Sequence, residues 1–365
     1  MSQTEAAQAV QVTSAALSQY EGGKRKIDPL MMDRLARLYG VPVGYFFGED
    51  SEQADWEASL RHIAEVLSPE GKEGVGELIR RIHALEELFT HTGTAYPGLP
   101  HPPFPPLDER DFTNREVAEY AEKARRHFDL GLAPIQDLRS LLEALGYLVF
   151  TVPLGKSNGD VSGLYFRHPE LGPVVVINED QAFTRRPFTM AHEMAHGLYH
   201  YDRPAILCRV HDARPLEVFA ERFASHFLVP RDALRDRLRD SGMQRVERPE
   251  EVVRLARYFG VSYGAMQRIL SDEQRLGVVA TAGIRPVKLA EALGYAVSKY
   301  EFGLKPLPVE LRLPRVFLEL AYRAVREEKL SLRRVAEMLG ISDVELEERL
   351  YPEGEETEEL EEVYA

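Results

Sequence analysis

Residues 188–200 read FTMAHEMAHGLYH, with His192 and His196 four apart and Glu193 directly after the first. On a helix, residues four apart share one face, one turn from each other. Both imidazoles can therefore reach one tetrahedral Zn2+, while Glu193 is angled beside the ion. That is where a general base stands to take a proton from water whose pKa the metal has lowered toward about 7. The competing explanation is a surface helix with incidental His and Glu, and the flanks argue against it. Apolar residues are interleaved with the histidines, and PVVVIN (173–178) just before them reads as a strand. A helix apolar on both sides of its polar groups is largely buried. Buried His and Glu without partners are expensive, so a metal is the economical explanation.

A catalytic zinc needs a third protein ligand and an open position. His200, His211, Asp212, Glu217 and Glu221 are the candidates that follow. His200 extends the same face by another turn, too far along to close a tetrahedron, and reads as a helix-end side chain. His211 and Asp212 fall in a loop. Glu217 begins an amphipathic helix, LEVFAERFASHFL (216–228), which Val218, Phe219, Phe223, Phe227 and Leu228 would bury on one side. Its first turn can face the metal helix, which makes Glu217 the favoured third ligand. Glu221, one turn on, is placed to orient a ligand histidine. His226, Tyr199 and Tyr165 can be named as donors to a developing oxyanion, although a structural role is the simpler reading of each.

The 365 residues suffice for two or three domains. Hydrophobic residues at 44% and charged residues at 28% are ordinary for a soluble globular protein. The net charge of -14 argues against a nucleic-acid coat protein, while leaving room for one local basic patch. Residues 343–362 hold eleven Asp or Glu and one Arg, so the end reads as a solvated tail. Cys208 is the only cysteine, which excludes an intrachain disulfide and points to a reducing compartment. It reads as a small buried apolar residue rather than a nucleophile. No apolar run approaches the length of about 18 residues that a membrane span needs, and the chain starts with the polar MSQTEAAQ. A cytoplasmic protein with no membrane partner is expected.

The expected fold class is mainly α with a small β-sheet (α+β). Residues 1–48 read as short helices, with Thr13 and Asp28 as N-caps and Gly40 as a stop. Residues 49–112 form a helical connector ending in a linker with prolines at 97, 100, 102, 103, 105 and 106. Residues 113–272 form the domain with the metal helix. Its predicted strands are YLVFTVP (147–153), SGLYFRH (162–168) and PVVVIN. Residues 273–350 form a C-terminal helical module, and 351–365 the acidic tail. A pattern of helix, Gly, β-branched residue, turn and helix recurs in MDRLARLYGVPVGYFFG (32–48), VVRLARYFGVSYGAMQRIL (252–270) and LRRVAEMLGISDVELEERL (332–350). For the second and third copies, plain helix packing with no DNA role is the preferred reading.

RRPFTMAHEMAHGLYH (185–200), followed by the pattern ExxAxxFAxxFLVP (Glu217, Ala220, Phe223, Ala224, Phe227, Leu228, Pro230), resembles the ImmA/IrrE metallopeptidases over roughly residues 113–270. The resemblance implies a gluzincin-like endopeptidase with one Zn2+ per chain. It implies His192, His196 and Glu217 as ligands and Glu193 as base. It also implies a helix-turn-helix repressor as substrate, whose cleavage frees mobile-element or stress-response genes. Glu221 stands where the family often has Asn. At the other end, TSAALSQYEGGKRKIDPLMMDRLARLYGVPVGYFFGED (13–50) resembles an XRE-type helix-turn-helix. That likeness places Ser14, Ala15, Ser18 and Gln19 toward base edges and Lys24, Arg25 and Lys26 toward phosphates. A complete domain of this type has one more helix before SQTEAAQ, so a partial module is expected. Five basic against four acidic residues over 1–48, a net of +1, support weak phosphate binding at best. A docking module for a partner is the alternative. Three functions follow: a zinc peptidase that cuts a repressor; a DNA-binding regulator or antitoxin-like protein whose peptidase domain is a sensor or scaffold; and, last, a zinc-stabilised structural protein.

Overall fold

LVFTV, VSGLYFRH and GPVVVIN are rich in β-branched and aromatic residues, and each forms a strand. These are β1 (Leu148–Val152), β2 (Val161–His168) and β3 (Gly172–Asn178). A fourth strand, β4 (Ala205–Arg209), completes a sheet of order β1-β3-β2-β4. β1 and β3 run parallel with Leu148 opposite Val174; β2 is antiparallel to both β3 and β4, with Gly163 opposite Cys208. Every residue of β1 and β3 is buried, so both faces of the sheet are covered there. Sequence reading finds no strand at 205–209. Only Ile206 and Cys208 of its five residues point inward, too short a run for a period of two to stand out.

The computed structural model describes residues 6–7, 10, 12–21, 31, 51–97, 101–155, 161–210, 212–272 and 283–351. Two units separate by their internal contacts, Met1–His62 and Ile63–Ala365. In the first, helix α1 (Ser14–Glu21) begins at the expected cap, where the Thr13 hydroxyl accepts from Ala16 N at 3.2 Å. Ala6, Ala7, Val10 and Leu17 form a small core, with Val12 and Met31 packed against it. Ser14 is half-buried and Ser18 exposed. The Gln19 side chain, Lys24, Arg25, Asp28 and Gly40 lie outside the described residues. Helix α2 (Ser51–Glu65) follows.

The second unit opens with α3 (Pro69–Thr92), whose buried Val75, Leu78, Ile82, Leu85 and Leu88 make one helical stripe. The buried Ser68 hydroxyl caps it, accepting from Gly71 N at 3.2 Å. Ser68→Ala is expected to lower stability by about 1 kcal/mol, read as a lower denaturant midpoint at unchanged slope. α4 (Asn114–His127) and α5 (Leu138–Ala144) precede the sheet. α6 (Arg186–Tyr199) then lies across β2 and β3, with α5 and α7 (Pro215–Leu228) against it. Every residue from Thr189 to Tyr199 is buried, so α6 is a central helix. Gly197 is required by the closeness of Tyr147, whose hydroxyl would lie 2.5 Å from an added Cβ. Phe219, Phe223 and Phe227 line the inner face of α7, and Tyr199 meets Phe219 edge-on at 5.4 Å. The proline-rich stretch reaches the same core. Phe104 stacks on Tyr199 at 5.2 Å, and Leu107 N donates to Tyr199 O at 2.8 Å.

Beyond α7 come α8 (Arg231–Asp240), α9 (Pro249–Phe259), α10 (Tyr263–Asp272), α11 (Pro286–Ala292), α12 (Val309–Arg312), α13 (Arg315–Arg326), α14 (Leu332–Leu339) and α15 (Asp343–Leu350). The repeat at 252–270 gives the packed pair α9–α10, and that at 332–350 gives α14–α15. In the latter, Arg334 pairs with Glu87 of α3 at 2.6 Å and Arg349 pairs with Glu310. These two cations are spent on the fold, in keeping with packing rather than phosphate contact. No described helix is long and apolar enough to cross a membrane.

Candidate metal centre

His192 and His196 leave one face of α6 with their Nε2 atoms 3.2 Å apart. Glu217, in the first turn of α7, brings Oε2 to 3.2 Å from His192 Nε2 and Oε1 to 3.5 Å from His196 Nε2. Donors about 2.1 Å from one ion at tetrahedral angles lie about 3.4 Å from each other, so these separations suit one face of a coordination tetrahedron. Cys208 on β4 joins them: one donor atom from each of the four residues lies within 4.8 Å of the others. Relative exposures are 6% for His192, 2% for Glu217 and 0% for His196 and Cys208.

Glu193 is also fully buried. Its Oε2 accepts from Cys208 Sγ at 3.1 Å, while Oε1 has no hydrogen-bond partner. Two carboxyl groups thus share a core with the His192 and His196 imidazoles. The nitrogen, oxygen and sulfur atoms gathered here would suit a divalent cation, zinc among first-row metals. Burial pushes the Glu193 carboxyl up to about 8; the His192 charge opposes the rise, Glu217 adds to it, and the Cys208 hydrogen bond opposes it. Burial, then the charges of His192 and His200, hold His196 well below the usual histidine range. Burial also works against a charged His192, but the Glu217 hydrogen bond and the charges of Glu193 and Glu217 outweigh it and raise that group.

The far sides of the two rings are backed as well. His196 Nδ1 lies 3.0 Å from His200 Nδ1, and His192 Nδ1 lies 3.9 Å from Glu221 Oε2. Burial, then the charge of Arg203, lowers His200 to about 4. A neutral His200 can accept from His196 Nδ1–H, which leaves the His196 Nε2 lone pair facing His192 and Glu217. Sequence reading assigns His200 only a helix end. The signal for its role is its four-residue spacing from His196. Glu221 is in turn paired with Arg268 of α10.

Asp212, Tyr199 and His226 are engaged elsewhere. Asp212 Oδ2 accepts from Arg214 Nε at 3.0 Å, and Arg214 Nη2 also lies 3.4 Å from Glu217 Oε1. His211 lies outside the described residues. Tyr199 OH donates to Tyr120 O at 3.2 Å, His226 Nε2 lies 2.8 Å from Asn114 Oδ1, and Tyr165 is buried within the sheet. Gly163 is the unforeseen neighbour. A Cβ there would lie 2.7 Å from Glu193 Oε1 and 2.6 Å from Val176 O, so β2 passes the carboxyl at a distance only glycine permits. Gly163→Ala is expected to cost about 1–3 kcal/mol of stability and to displace Glu193. A thermal melt, with a cleavage assay on the folded fraction, checks both.

Residues 142–271 match the model of peptidase family M78, the IrrE N-terminal-like domain. Residues 1–46 match a helix-turn-helix family model. No curated protein matches the chain. The segment that matches the IrrE N-terminal-like peptidase family contains α6, β4 and α7.

Proposed function

We propose that the protein is a zinc-dependent endopeptidase of the cytoplasm that cleaves a helix-turn-helix transcriptional repressor and so regulates transcription. The observation that carries this reading is the convergence of His192, His196 and Glu217, with contacts of 3.2–3.5 Å, beside the buried Glu193. It lies inside the segment that matches a peptidase family. His192, His196 and Glu217 are the residues that would hold one zinc. When bound, zinc supplies polarisation of the scissile carbonyl and activation of the attacking water. Glu193 accepts the water's proton at its unpartnered Oε1 and returns it to the leaving amine. His200 and Glu221 steady the two imidazoles. Burial keeps bulk water from screening these charges, which strengthens each contact.

The choice of a repressor as substrate rests on the likeness of the 188–230 motifs to repressor-cleaving peptidases and on the matched helix-turn-helix segment. That segment also favours a second reading, a DNA-binding regulator whose peptidase domain acts as a sensor. Mass spectrometry of the helix-turn-helix repressors encoded beside this gene, after incubation with the zinc-loaded protein, separates the two. Cleavage between helices that stops on chelation supports the peptidase. Intact repressors, with tight and salt-sensitive binding to DNA upstream of the gene, support the regulator.

A further inference from the structure

We infer that Cys208 is the fourth protein ligand of the metal centre, a thiolate that takes the position the attacking water needs and keeps the peptidase latent. This rests on the reading of His192, His196 and Glu217 as metal ligands. A cysteine that serves only as a small apolar filler has its sulfur among apolar groups. The sulfur of Cys208 instead stands in the most polar part of the core. It lies no more than 4.8 Å from a donor atom of each of His192, His196 and Glu217, and 3.1 Å from Glu193 Oε2. The sheet puts it there. β4 pairs with β2, Cys208 sits opposite Gly163, and the strand's alternation turns Ile206 and Cys208 inward.

A set of two imidazoles, a carboxylate and a thiolate is a complete tetrahedral complement for zinc. Centres with four protein ligands are closed, whereas catalytic ones keep one position for water. The enclosure agrees: three of the four residues are 0–2% exposed, and His192 is 6% exposed. Ligation releases one proton, since the S–H bond breaks as the sulfur–metal bond forms. Glu193 Oε2, which already accepts from Sγ, receives that proton. The charge of the ion drives this, because a thiol that coordinates zinc is deprotonated outright. Hydrolysis then requires sulfur to leave and water to take its place.

The test is the absorption spectrum of the full chain loaded with Co2+. The wild type is expected to bind one cobalt per chain and to show a near-ultraviolet thiolate-to-cobalt charge-transfer band beside the visible bands of a tetrahedral site. Cys208→Ala is expected to keep the cobalt and the visible bands, to lose the near-ultraviolet band, and to cleave substrate faster than the wild type. X-ray absorption of the zinc-loaded wild type needs no variant and should show one sulfur at about 2.3 Å. Bound cobalt with no charge-transfer band, and zinc with no sulfur neighbour, overturn the ligation and leave the three-ligand centre standing. Failure of the wild type to bind cobalt overturns both. A Cys208→Ala protein that binds cobalt yet cleaves no faster overturns the latency.

Discussion

Glu193→Gln is expected to bind one zinc per chain, as the wild type does, and to lose cleavage by about two to four orders of magnitude. The side chain keeps its size, and its neighbours His192, His196 and Glu217 keep their mutual contacts of 3.2–3.5 Å. What changes is chemistry alone, because an amide accepts no proton from water and returns none to an amine. Folding should not suffer, since Glu193 is fully buried with Oε1 unpartnered, and a neutral amide is easier to bury than a carboxylate. Metal analysis and initial rates on one preparation check both halves. Normal proteolysis by a zinc-loaded variant removes Glu193 as the base.

His196→Ala is expected to abolish both zinc binding and cleavage. Its Nε2 touches His192 Nε2 at 3.2 Å and Glu217 Oε1 at 3.5 Å, and its ring stands between those atoms and His200. Without it, the centre keeps only one imidazole, and zinc is held too weakly to saturate the site. Thermal unfolding reads this directly. Zinc at about a hundredfold excess over its Kd adds about 2.7 kcal/mol to a protein that binds it only when folded. The wild type should show that rise in melting temperature and the variant should show none.

The parts of the centre differ in how far sequence displays them. His192, Glu193 and His196 stand in one helical turn, so their relation is periodic and visible without a fold. Glu217 is visible at one remove, as an acid opening an amphipathic helix, and the structure brings it to the two histidines. Three of the four strands, β1 to β3, are visible as β-branched runs, and their α+β setting agrees with the structure. Cys208 is different. A lone cysteine has no spacing partner, and β4 is too short to announce itself. Its approach to Glu193 exists only because β4 pairs with β2 beside α6. Gly163 is hidden for the same reason, since what demands glycine there is the Val176 carbonyl on the neighbouring strand and a carboxyl 30 residues later in the chain. At the N-terminal end, the Thr13 cap is local and therefore legible. Of the residues expected to meet DNA, Ser14 and Ser18 are placed on α1, whereas Lys24 and Arg25 lie outside the described residues.

Anomalous diffraction at the zinc edge from crystals of the zinc-loaded protein tests the central claim most directly. The expected result is one peak per chain, about 2.0–2.2 Å from His192 Nε2, His196 Nε2 and a Glu217 carboxylate oxygen. A fully loaded protein with no peak there, or with its zinc held by other residues, contradicts it.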